Sequence, residues 1–149
     1  AVEHLAADAA IILDRARIQI QDRGHVPAPV VGGIQIDQLR EHGGLPGVRD
    51  ENVLESALAR PQQKWHYGEE TDIPVLAAAY AFGLVRNHPY RDGNKRIGFL
   101  AMVTFLGINA YTFEATDAEV VATFLALAAA EVSEEQLADW IREHSRRSR

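Results

Sequence analysis

Nine consecutive residues, His88-Pro89-Tyr90-Arg91-Asp92-Gly93-Asn94-Lys95-Arg96, bring an imidazole, a carboxylate and several cations into one short stretch of chain. An imidazole can take a proton from a hydroxyl, and a carboxylate can hold Mg2+. Cations and backbone N–H groups can receive the non-bridging oxygens of a phosphate. These are the parts needed to move a phosphate-containing group from a nucleoside triphosphate to a hydroxyl. Taken singly, each residue has a plainer reading. Asp92 could cap a helix, His88 could bond a helix C-terminal carbonyl, and Lys95 and Arg96 could simply face water. Those readings do not explain why all four lie between the two most apolar segments of the chain.

The segments that must position this stretch read as helices at 73–87 and 94–108, each apolar on most sides and therefore buried. Ala78, Ala79, Gly83, Gly98 and Ala101 are small enough to let the two helices approach closely and hold their connection rigid. Pro89 disfavours the α-region at His88 and ends the first helix, and Gly93 permits a backbone turn that other residues resist. The chain then enters a helix N-terminus, whose free N–H groups and positive dipole end suit an anion. Lys95 and Arg96 stand where that dipole disfavours cations, which suggests a bound anion.

Further helices are expected near 3–16, 34–42, 51–60, 117–131 and 134–146. Asp50 and Asp72 stand as N-caps, and Thr116-Asp117-Ala118-Glu119 and Ser133-Glu134-Glu135-Gln136 as capping boxes. Period-two alternation is almost confined to 17–21, so the fold is expected to be all-α and a single compact domain. The prolines and glycines of 22–33 read as a linker, separating an N-terminal extension (1–33) from the body (34–149). The arginines 142, 146, 147 and 149 are expected to suit a helix C-terminus.

A net charge of −6 argues against direct DNA binding, because neutralising phosphates needs a basic surface. The absence of cysteine excludes disulfides and thiolate metal sites and fits the cytoplasm. No run approaches the ~18 apolar residues of a membrane span, and the first residues lack the order of a signal peptide. None of the six histidines forms a His-x-x-x-His pair, and no Gly-x-x-x-x-Gly-Lys-Ser/Thr loop occurs. A zinc hydrolase and a P-loop kinase are both disfavoured.

His88–Arg96 resembles the signature of the Fic/Doc superfamily, His-x-Phe-x-(Asp/Glu/Asn)-(Gly/Ala)-Asn-(Gly/Lys)-Arg, with Tyr90 in place of phenylalanine. The run Gly43-Gly44-Leu45-Pro46-Gly47-Val48-Arg49-Asp50, the following Leu54-Glu55-Ser56-Ala57-Leu58 and Leu76-Ala77-Ala78-Ala79-Tyr80 are similar to death-on-curing (Doc) toxins. The resemblance runs from about Ile34 to the C-terminus, and the motifs offer no counterpart for 1–33, which is expected to pack on the body.

The resemblance implies a Fido-type helical bundle with a short flap, able to form a β-hairpin, before the central helix. In it His88 would deprotonate a target Ser/Thr hydroxyl, and Asp92 would hold Mg2+. Arg86, Gly93, Asn94, Lys95 and Arg96 would bind the phosphates of ATP, and the flap residues Lys64, Trp65, His66 and Tyr67 would dock the target. Members that transfer AMP carry glycine and a second arginine where this chain has Lys95 and Phe99. Doc-type members share the lysine, which implies transfer of the γ-phosphate, with elongation factor Tu as the kind of target. A Fic-like AMP transferase and a non-catalytic binding module of the same fold are the alternatives. The family's inhibitory pattern, Ser/Thr-x-x-x-Glu, is missing from every Ser and Thr of the chain, so inhibition is expected from an antitoxin acting in trans.

Overall fold

The structure, a computed structural model, describes residues 28–66 and 72–148, with side chains from residue 31 onward. Its described residues form six helices and one small sheet. In order these are α1 (Ala28–His42), α2 (Glu51–His66), α3 (Ile73–Asn87), α4 (Asn94–Ile108), β1 (Tyr111–Phe113), α5 (Asp117–Ala128), α6 (Glu134–Glu143) and β2 (Ser145–Arg147). The helix expected at 3–16, the alternation at 17–21, Tyr67 and Arg149 lie outside the described residues.

The bundle is built around α3 and α4, whose bounds are those the sequence predicts. Every residue of α3 from Leu76 to Ala81 is buried, as are Gly83, Leu84 and Val85. Helix α4 buries all of Ile97 to Met102. Helices α2, α4, α5 and α6 all contact α3, and α1 lies on α4. Such central helices need small residues where backbones meet. At Gly83 an added Cβ would lie 3.3–3.4 Å from Cβ, Cα and O of Ala57 in α2. At Gly98 it would lie 2.6 Å from Val85 Cγ2 and 3.4 Å from Ala81 O in α3. Gly98→Ala should therefore lower unfolding stability by about 1–3 kcal/mol, because Val85 has no free space to enter. A urea midpoint equal to that of the parent protein would contradict this packing.

Helices α1 and α2 depart from expectation. Helix α1 starts at Ala28 instead of 34, so the Pro/Gly stretch 22–33 ends in helix. Pro29 suits a first helical turn, and nothing crowds Gly32 or Gly33. Burial of Val31 and Ile34 supplies the packing that outweighs glycine's poor propensity. Helix α2 runs six residues past its expected end at 60, straight through Pro61. The proline deprives Ala57 of its helical hydrogen-bond donor. Its ring is buried, however, and packing of Leu54, Ala57, Leu58 and Pro61 on the core keeps the helix together.

The helix caps mostly follow the sequence. Asp50 Oδ1 accepts from the N–H groups of Asn52 (3.0 Å) and Val53 (3.2 Å). Ser133 and Gln136 form the reciprocal box, whereas Thr116 only accepts from Glu119 N–H, because the Glu119 carboxylate reaches His144 Nε2 at 2.7 Å. Asp72 occupies the N-cap position of α3 without capping it, its carboxylate being paired with Arg142.

Helix α6 ends at Glu143, and β2 pairs antiparallel with β1 in the register Tyr111↔Arg147, Thr112↔Arg146, Phe113↔Ser145. The arginine-rich tail is thus a strand and not the expected helix end, with Arg146 paired to Glu114 at 3.4 Å. This sheet is the described β-structure besides one isolated bridge, and it lies after the central helices; residues 67–71 of the expected flap lie outside the described residues. No described helix is long and apolar enough to cross a membrane.

Candidate active site

Helix α3 ends at Asn87, and His88 takes up left-handed backbone angles (φ 48°, ψ 56°) as its C-cap. The imidazole-bearing residue is exposed, while Pro89 and Tyr90 behind it are buried. Asn94 holds the turn shut. Its Oδ1 accepts from Tyr90 N–H at 3.0 Å, and its Nδ2 donates to Tyr90 O at 3.0 Å. The carboxamide oxygen and one Nδ2–H are thus committed to Tyr90, and the main-chain N–H of Asn94 stands in the first turn of α4.

Gly93 (φ 79°) then feeds the chain into α4, and no side chain caps this helix. Its first N–H groups therefore face outward with the positive end of the dipole. Lys95 is exposed and Arg96 half-buried, and neither takes part in an ion pair among the described residues. Lys95 and Arg96 head a groove of about 180 Å³ whose floor is Phe99, Val120, Val121, Phe124 and Leu125. Uncapped donors and unpaired cations at the head of an apolar groove fit the phosphates of a nucleotide.

Asp92 lies at the rim. Its Oδ1 accepts from Gly93 N–H (2.9 Å), and its Oδ2 faces Leu45 N–H (3.4 Å) across 47 positions of sequence. The approach depends on Gly44, whose φ of 122° suits glycine, and a Cβ there would stand 2.8 Å from Asp92 Oδ2. Among the described residues no three His, Asp or Glu side chains gather into a metal cage. A Mg2+ ion on Asp92 would accordingly take its other ligands from phosphate and water, the usual arrangement for this ion.

The whole run from Gly43 to Asp50 acts as a strap along the loop, a role that motif reading does not assign to it. Val48 and Tyr90 form an antiparallel bridge, Arg91 N–H donates to Gly47 O (3.1 Å), and Arg49 and Asp50 N–H both donate to Pro89 O (2.8 and 3.2 Å). Gln35 Nε2 of α1 ties the strap down through Gly47 O at 3.0 Å. The Arg49 guanidinium donates from Nε to His88 O (2.7 Å) and from Nη2 to Asn87 O (2.9 Å). The available signal was the density of glycines before α2, since Gly43, Gly44 and Gly47 all adopt positive φ.

Other expected residues make contacts of their own. The Arg86 guanidinium lies 5.0 Å over the ring of Phe82 in its own helix, and Arg60 of α2 lies 5.3 Å from the same ring. Lys64, Trp65 and His66 form the last turn of α2, and the rest of the expected flap, 67–71, lies outside the described residues. Lys64 pairs with Glu134 at 2.9 Å, Trp65 packs partly buried against the core, and only His66 is exposed. Packing at Pro61 carries the helix through the place where a flap was expected to start.

Tyr90 is 2% exposed, and its hydroxyl finds no partner among the described residues. Burial, with Glu51 adding to it, pushes its pKa up to about 12. A folded-state pKa above the usual value of about 10 contributes stability below pH 10, lost as pH rises through 12. Tyr90→Phe should thus be no less stable at neutral pH and should lose less stability between pH 10 and 12, as urea midpoints across that range would report.

A sequence profile of the Fic/DOC family matches residues 8–106 of the chain, two-thirds of its length and the whole of this loop. The chain belongs to the Fic/DOC family. The match takes in residues 8–33, for which the motifs offered no counterpart, and ends within α4. This Fic/DOC protein is also 47% identical over 70 residues to the curated "Toxin Doc" of Mycolicibacterium smegmatis, an alignment that covers 45% of the chain. The chain spans about half the length (52%) of that relative.

Proposed function

We propose that this Fic/DOC protein is a Doc-like toxin acting as a protein kinase, which moves the γ-phosphate of ATP to a Ser or Thr hydroxyl of a target such as elongation factor Tu. His88 takes the hydroxyl proton, the new O–P bond forms as the bond between Pγ and its bridging oxygen breaks, and ADP leaves. The N–H groups of Asn94 and Lys95 and the cations of Lys95 and Arg96 receive the phosphate oxygens, while Gly93 supplies the turn and gives its own N–H to Asp92. Asp92 would hold Mg2+, which would supply neutralising charge. The apolar floor below Lys95 and Arg96 suits the base of a nucleotide whose phosphates lie at the helix N-terminus.

The observation that carries phosphate over AMP is Phe99. It is 6% exposed and packs edge-on against Phe113 (5.9 Å) and Phe124 (5.5 Å), absorbed into the core where AMP-transferring members present a second arginine. Similarity to a protein named Toxin Doc supports the toxin reading, and with it a cytoplasmic setting and an antitoxin that acts in trans.

Purified protein incubated with Mg2+, elongation factor Tu and ATP labelled at the γ-position should label the factor. Label from the α-phosphate would replace kinase by AMP transferase, and no label from either position would sink the enzymatic reading for this target.

A further inference from the structure

His88 adopts a conformation that its neighbours in sequence oppose. A left-handed backbone is unfavourable for a residue with a side chain, and a following proline pushes the preceding residue toward extended angles. Something outside the loop must hold it, and Arg49 is in position to do so. Its guanidinium reaches across 39 positions to His88 O at 2.7 Å and across 38 to Asn87 O at 2.9 Å. Its own N–H donates to Pro89 O at 2.8 Å. Three consecutive carbonyls around His88 are thereby bonded to one residue. Among the described residues no carboxylate ion-pairs with Arg49, so its charge is directed at the negative end of α3. Bonds from a charged donor are the strong class, and a planar fork binding two acceptors fixes orientation as well as distance.

We infer that Arg49 is the positioning residue for His88: its guanidinium, clamped on Asn87 O and His88 O, sets the left-handed turn that aims the imidazole into the site. The inference rests on the reading of His88 as the general base. Arg49 itself touches no reacting atom and acts through the backbone it holds.

The test uses the full chain with Arg49→Ala, Arg49→Lys, Arg49→Gln, His88→Ala and the Arg49→Ala/His88→Ala pair, each shown to be folded by its unfolding midpoint. In the transfer assay, Arg49→Ala should lower kcat about 10- to 100-fold, the scale expected when a reacting group is displaced by an ångström or so, with KM little changed. Arg49→Lys and Arg49→Gln, which can serve one carbonyl, should recover part of the loss. In the His88→Ala background, Arg49→Ala should cost nothing further, because residues acting as one unit are not additive. An equal loss in both backgrounds would overturn the inference. A second readout needs no activity: the imidazole resonances of His88 should shift or broaden in Arg49→Ala while those of His144 stay in place. Unchanged His88 resonances in a folded variant would overturn the inference as well. If the parent protein transfers nothing to any target, the kinase reading fails and the resonances alone decide the role of Arg49. If Arg49→Ala does not fold, Arg49→Gln takes its place in each comparison.

Discussion

His88→Ala should lower phosphate transfer by about 10²- to 10⁴-fold, the usual contribution of a positioned general base, while the urea midpoint stays within about 0.5 kcal/mol of the parent protein. The first half follows from the assigned role, since the imidazole is the group at the turn able to take a hydroxyl proton at neutral pH. The second half follows from the structure. His88 is exposed, and the bonds that hold its turn run to its carbonyl and its neighbours' backbone, all of which alanine retains. Radiolabel transfer and urea unfolding on one preparation check both halves. A variant that still arrests growth when expressed would favour a binding module over an enzyme.

Asp92→Ala should reduce transfer by about 10²- to 10³-fold, the scale seen when one group that stabilises developing charge is removed, and excess Mg2+ should restore only part of it. Gly44→Ala is the more informative change, because it removes none of the proposed catalytic groups and displaces only Asp92. Its Cβ would stand 2.8 Å from Asp92 Oδ2 and 3.0 Å from Leu39 Cδ2, at a φ that alanine resists. The carboxylate must turn aside and leave Leu45 N–H. Disturbing a group that orients a metal ligand typically costs about 10- to 100-fold in metal affinity or activity. Gly44→Ala should thus raise the Mg2+ concentration needed for half-maximal transfer by about tenfold. Titration of Mg2+ at saturating ATP measures it, and an unchanged midpoint would mean that the carboxylate does not depend on the strap.

Helices α3 and α4 were legible to the residue, since their apolar character, the His88-Pro89 break and Gly93 are all local signals. The same local logic misplaced the end of α2, because Pro61 is a helix breaker only where packing does not overrule it. The longer helix places Lys64, Trp65 and His66 at its end, one of them paired with Glu134 from the far side of the chain. The strand at 145–147 was hidden for a similar reason. Its three residues pair with Tyr111–Phe113, more than thirty positions away, and carry no alternating pattern of their own.

The sequence by itself determined the polar stretch from His88 to Arg96, the two buried helices that flank it, and the family. All three depend on residue type and on spacings shorter than a helix. Tertiary structure alone decided what holds that stretch in shape. Gly44 admits Asp92, Arg49 grips the carbonyls at His88, Asn94 is spent on Tyr90, and Phe99 disappears into an aromatic core. Apart from the Asn94 staple, these contacts join positions that are far apart in the chain, and the Asn94 staple depends on a turn that the strap fixes. No local pattern encodes which distant backbone a guanidinium will reach.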